Sequence, residues 1–282
     1  ASDVYKRQHL VGRQVRGRLL RRLRAGVRGR EPARPDGEGA DVCHVADRGH
    51  DEHAVLAGLP GERRCIGPGG GETLRIVDAN MQTLRVHQMD YATGEVGASE
   101  DGLLYVSEDH GCPWLHRYRL EEDSSLTLQA TYVDEREEMD RYTHIYFPAI
   151  AHDRVFAVGC TFAGEDEIVA FDATTLTVRK RFGRGLWGAW GTGGMAIVGD
   201  ELYVSDSSSR CIRVFSMSGE HLREITGDWR VPNQLLLFRD RLYMIEQQFG
   251  EPGAGKRIFV LTPQGEILQK YRFDKKLSLI HI

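Results

Sequence analysis

Four acids stand at comparable places along the chain: Asp78, Glu108, Asp206 and Glu246 each close a short apolar run. A carboxylate there can accept backbone N–H groups across the hairpin that follows, so all four are read as turn-capping acids. A ring of metal-binding carboxylates is the sharper chemistry, but residues just past a strand sit in turns rather than in a channel. Glu108-Asp109-His110-x-Cys112 with His116 has the donor types of a zinc site. Its spacing matches no zinc motif, no second Cys pair completes the set, and His116 is expected inside a strand, pointing away from the loop of His110 and Cys112. The earlier Cys43-His44 and His50-Asp51-Glu52-His53 cluster is weaker still.

Two glycine-rich stretches imitate phosphate loops. Residues 183–188 fit G-x-G-x-x-G, but Ala189-Trp190-Gly191-Thr192-Gly193-Gly194 follows and cannot open a helix to hold a pyrophosphate. Residues 250–257 read G-E-P-G-A-G-K-R, with Arg257 where a Walker A loop needs Ser or Thr, and a strand comes next. No nucleophile elbow and no H-E-x-x-H occurs. The sequence therefore assigns no catalytic residue, no metal and no cofactor.

Aromatic residues give a better lead. Trp190 and Trp229 lie 39 residues apart, with Arg184 and Arg230 nearby and Tyr146 close to the same phase. Trp and Arg are favoured binding anchors, so these five are the candidate partner-binding residues. The competing reading has each Trp wedged between neighbouring sheets.

These residues are positioned by a repeat. Leu74-Arg-Ile-Val-Asp78, Leu104-Tyr-Val-Ser-Glu108, Val155-Phe-Ala-Val-Gly159, Leu202-Tyr-Val-Ser-Asp206 and Leu242-Tyr-Met-Ile-Glu246 follow one another at 30, 51, 47 and 40 residues. Each is followed by a second strand such as Ile212-Arg-Val-Phe215 or Ile258-Phe-Val-Leu261. Then comes a Gly turn, at Ala92-Thr-Gly-Glu95, Met217-Ser-Gly-Glu220 and Pro263-Gln-Gly-Glu266. Four strands in 40 to 50 residues is the size of one propeller blade. The expected fold is all-β: a β-propeller of four-stranded blades, about five of them recognisable, from a six-bladed parent.

At residues 194–225 the order Gly-Met-Ala-Ile-Val, Leu-Tyr-Val-Ser-Asp, Arg-Cys-Ile-Arg-Val-Phe, Ser-Gly-Glu resembles the NHL-repeat family of β-propellers, and a fainter likeness extends over residues 73–271. That resemblance implies a non-enzymatic protein-interaction scaffold. Relatives also serve as substrate-recognition parts of ubiquitin-ligase systems or bind RNA, although no RING or B-box cysteine pattern is present. A propeller hydrolase or lyase with a channel metal is the enzymatic alternative, with His110, His144 and His152 as its available donors. Only 30 residues separate the first two units, too few for a complete blade, so a fragment prone to aggregation is expected.

Composition agrees with a folded all-β chain: 282 residues, 41% hydrophobic, 32 Gly against 9 Pro. Residues 1–30 carry a net charge of +9, leaving −13 on the other 252. That acidic body argues for a protein partner and against DNA, while Lys180, Arg181, Arg184, Arg210 and Arg230 could form a local RNA patch. No apolar run is long enough for a membrane helix, so no membrane partner is expected. Five cysteines without C-x-x-C spacing point to a reducing, cytoplasmic setting. Residues 9–71 are rich in Arg and Gly and lack periodicity, and both ends resemble translated sequencing adapter. The expected division is thus 1–72 irregular, 73–272 propeller and 273–282 a non-native tail.

Overall fold

Short apolar runs bounded by Gly, Asp and Ser turns form antiparallel strands throughout. The computed structural model describes residues 54–273, apart from 60–62, 69–70, 79, 81, 100, 109–112, 138–139, 189–190, 239 and 247–255. All of them belong to one of the chain's two compact units, Glu52–His281.

Four sheets result. The first has seven strands, in the order β1 (Ala54–Leu59), β2 (Arg63–Pro68), β3 (Gly71–Val77), β4 (Thr83–Ala98), β5 (Leu103–Glu108), β6 (Trp114–Leu120) and β7 (Leu126–Val133). Three four-stranded sheets follow. These are β8 (Tyr142–Ala151), β9 (Arg154–Thr161), β10 (Asp166–Asp172) and β11 (Val178–Phe182); then β12 (Thr192–Val198), β13 (Glu201–Asp206), β14 (Cys211–Ser216) and β15 (His221–Thr226); and finally β16 (Pro232–Phe238), β17 (Arg241–Glu246), β18 (Lys256–Leu261) and β19 (Ile267–Phe273). Strands β4 to β7 repeat the order of the other three sheets, giving four blades of a β-propeller. The first strands β4, β8, β12 and β16 lie next to one another in that sequence.

The first of the five expected units is not a separate blade. Strand β4 is 16 residues long; its first part pairs with β3 and its last part with β5, so one strand serves both neighbours. This explains the 30-residue spacing. It also corrects the hairpin expected at residues 92–95, which lie inside β4, and the phase of Leu74, which sits in β3, the third strand from the sheet's edge. Strands β1 and β2 fall within the stretch expected to be irregular, and Cys65 is buried in the core beside Leu74 and Ile76. The described strands therefore begin upstream of residue 73, at Ala54. The other two turns form as expected, with Gly219 and Gly265 at φ of 83° and 94°, a region costly for residues with a Cβ.

No blade covers its own apolar faces. One cluster joins Tyr105 and Leu115 to Tyr142, Val155 and Phe171 of the next blade; a second joins Phe156 and Ile168 to Leu202 and Phe215; a third joins Tyr203 and Val214 to Leu235 and Phe259. The repeated tyrosine adds a polar tie across the same seams. Tyr105 donates to the Ala173 carbonyl at 2.8 Å and Tyr203 to the Pro263 carbonyl at 3.0 Å, each in the following blade.

Close approach of the first strands requires a residue without a side chain. A Cβ on Gly194 of β12 would lie 2.7 Å from the Leu235 nitrogen and 2.9 Å from the Gln234 Cα, both backbone atoms of β16. Gly194→Ala is expected to cost roughly 1–3 kcal/mol through overpacking, measured by urea denaturation. A variant as stable as the parent would show that the two strands are not held this close.

Candidate functional site

Strands within a blade alternate in direction, so two kinds of connection emerge at the same end. These are the segments leading into each first strand (residues 134–141, 183–191 and 227–231) and the turns joining second to third strands (162–165 and 207–210). Six of the nine candidate residues gather here: Arg184, Trp229, Arg230 and the strand-end acids Glu108, Asp206 and Glu246.

The acids are held from within. Asp206 is fully buried; it accepts from the Ser208 hydroxyl at 2.7 Å, the Ser209 backbone N–H at 2.9 Å and Arg213 Nε at 2.9 Å. Burial pushes its carboxyl up, but these donors together hold it below the ordinary value. Glu246, also fully buried, is gripped by Arg257, whose Nη2 lies 2.8 Å away, and caps the Arg230 and Val231 backbone N–H groups. Glu108 is paired with His116 Nε2 at 2.9 Å, while His116 Nδ1 meets the Thr131 hydroxyl at 3.0 Å. Burial keeps the His116 ring below its ordinary pKa despite that carboxylate. His116 is thus bound to Glu108 of its own motif, while His110 and Cys112, from which it was expected to point away, lie outside the described residues. Asp78 belongs to a different connection, the β3–β4 hairpin, where it accepts from the backbone N–H of Asn80 and Gln82 at 2.9 and 2.8 Å.

The third-strand partners share a pattern: His116, Arg213 and Arg257 each precede an aromatic by two residues, at Tyr118, Phe215 and Phe259. Alternation along a strand puts each such pair on one face. In the blade of β8 to β11, β9 ends at Thr161 instead of an acid. There Asp166 takes over a similar role across the seam, accepting from the Thr192 backbone N–H at 3.0 Å and its hydroxyl at 2.6 Å.

The aromatic candidates separate. Trp229 is 3% exposed, packs edge-on against Phe259 with ring centroids 5.6 Å apart, and donates Nε1–H to the Arg210 carbonyl at 2.8 Å. It is an inter-blade wedge, not an exposed anchor. Its counterpart is Trp187, which packs on Phe215 at 5.8 Å beneath Arg213; the 39-residue spacing had indicated Trp190, which lies outside the described residues, as do His110 and Cys112. Tyr146 is half-buried and stacks on His144 at 5.2 Å. Arg230 is exposed, and it is its backbone N–H that Glu246 caps.

Arg184 ties three connections together. Its Nε donates to Glu165 at 2.7 Å and its Nη1 to Asp140 at 2.9 Å. Sequence reasoning missed the two apolar residues on those loops, Phe162 at 56% and Leu186 at 40% exposure. Trp114 and Val133, paired across β6 and β7, are exposed at the same end of the neighbouring blade. A turn hydrophobe carries no periodic signal, so only its exposure identifies it. The basic residues do not form one patch. Lys180 bonds the Ser218 carbonyl at the opposite end of the blades, and Arg181 lies against the Tyr142 hydroxyl at 3.1 Å.

His144 and His152 do not converge: among the described residues, no group of three or more His, Cys, Asp or Glu is placed to hold one metal ion. No helix among them is long and apolar enough to cross a membrane.

No family model and no curated protein matches the sequence. Solved structures do match. Streptogramin B lyase superposes with a TM-score of 0.59 at 13% identity, over 80% of this chain and 70% of that one. A chain of the nidogen/laminin complex gives 0.59 at 6% identity, over 79% and 81%. The computationally designed Ika8 protein gives 0.51 at 12%, over 77% of this chain and only 61% of Ika8. At such identities the likeness shows the fold alone, a β-propeller.

Proposed function

We propose that this chain is a non-enzymatic propeller that docks a protein partner across the blade end carrying residues 134–141, 162–165 and 183–188. The observation that carries this reading is the exposure of Phe162 and Leu186 on loops clamped by Arg184 to Glu165 and Asp140. The clamp pre-orders the loops, which lowers the entropy lost on binding, and large apolar side chains held in water are otherwise costly. The described residues of these segments carry five carboxylates against three guanidinium groups, a net of −2, which favours a protein over RNA. The NHL-like pattern of residues 194–225 and the likeness to a nidogen chain in a complex with laminin support a scaffold role. The same reading places the chain inside the cell, in keeping with free, buried thiols at Cys65, Cys160 and Cys211.

A photo-crosslinking residue at position 162 is expected to trap a protein adduct that the same residue at Leu222, on an outer strand, does not. Phe162→Asp with Leu186→Asp should weaken binding of that adduct's partner by roughly 10- to 100-fold without changing the melting midpoint, since both positions are exposed. Equal adducts at 162 and 222, or an adduct destroyed by ribonuclease, would overturn the reading.

A further inference from the structure

Strand β4 changes partners in its middle. Its pairing with β3 jumps from Gln88 with Thr73 to Thr93 with Gly71, a register shift that leaves residues 89–92 as a bulge, and Thr93 also begins the pairing with β5, at Glu108. Over the intervening bulge a cleft of about 190 Å³ opens, lined by His87, Met89, Asp90, Tyr91, Tyr118 and Leu126 among others. A bulge re-aims side chains that a regular ladder would fix.

The polar groups of this cleft are mostly acceptors. The Tyr91 and Tyr118 hydroxyls are 2.8 Å apart, so one donates to the other and lone pairs on both oxygens remain. His87 Nε2 lies 2.9 Å from the Ser124 carbonyl, which only accepts, so Nε2 donates its proton there and away from the cleft's other groups. Asp90 is exposed and makes no ion pair among the described residues. Burial first, then the Tyr118 contact and the nearby negative charges of Glu108 and Asp90, push the Tyr91 phenol up. Met89 and Leu126 supply an apolar wall. The Tyr91 ring is held in place by stacking on His116 at 4.5 Å.

We propose that this cleft binds a primary alkylammonium group, its alkyl stem on Met89 and Leu126 and its charge against Asp90 and the phenol oxygens. An ammonium brings three N–H donors and no acceptor, the complement of what the cleft offers, and aromatic faces add attraction for a cation. The source is either a free amine or a lysine side chain of another protein.

The test uses the full chain with ¹³C-methyl methionine, the Met89 signal being assigned by its loss in Met89→Leu. Titration with n-butylammonium is expected to move the Met89 methyl saturably, and uncharged n-butanol is expected to leave it in place. Asp90→Asn, an exposed change that leaves the fold intact, should weaken the effect about tenfold, and Tyr91→Phe should weaken it as well. Saturation by lysine blocked at both ends would point to a side chain as the source; saturation by butylammonium alone would point to a small free amine. A Met89 methyl unmoved by butylammonium, moved equally by butanol, or equally responsive in Asp90→Asn would overturn the proposal.

Discussion

Trp229→Ala is expected to lower folding stability by about 3–5 kcal/mol, among the largest effects of any single substitution in the chain. The indole is almost wholly buried between β14 and β18, in one cluster with Ile212, Val214 and Phe259. Its removal leaves a cavity at a seam where two rigid sheets cannot close up. It also orphans the Arg210 carbonyl, whose hydrogen bond is worth about 1 kcal/mol. Trp229→Phe should therefore lose part of the effect's size but not all of it. Urea denaturation followed by circular dichroism gives the answer. A Trp229→Ala protein within about 0.5 kcal/mol of the parent, yet unable to bind its partner, would restore Trp229 as an anchor.

Arg213→Met should be comparably severe, at about 3–5 kcal/mol near neutral pH, because it strands a fully buried carboxylate. Its pH dependence identifies the cause. In the parent, the Asp206 carboxyl lies below its unfolded value, so its contribution is present above that value, about 3.9, and is lost as pH falls through the folded one. Without Arg213 the balance reverses, and burial drives the carboxyl above the unfolded value. The deficit of Arg213→Met must then shrink as the pH is lowered and Asp206 takes up a proton. Asp206→Asn in the same background should recover much of the loss at neutral pH. A deficit independent of pH, with no recovery in the double variant, would mean that Arg213 matters only through its guanidinium packed over the Trp187 ring.

Much of this could be read without coordinates. The Leu-Tyr-Val-Ser-Asp run of β13 has alternate and consecutive apolar positions that only burial on both faces explains, and the Gly219 and Gly265 turns follow from their sequence. The cap at Asp206 follows from the same logic, since an acid after a buried strand has the backbone donors of its own hairpin within reach, whereas Glu246 caps Arg230 and Val231 in the segment ahead of its blade. The unit around Leu74 was misphased because period counting assumes one strand per role, and β4 has two.

The linear order of residues thus determined which strands form, their grouping into meanders and the need of each meander for neighbours, because these depend on contacts a few residues apart. Only the folded chain decided that Trp187 packs on Phe215 much as Trp229 packs on Phe259, that the acids are committed to Arg213, Arg257 and His116, and that Phe162 and Leu186 stand in water beside Arg184. Those outcomes depend on how two sheets far apart in sequence meet, and the distance and angle at which they do so leave no period in the chain.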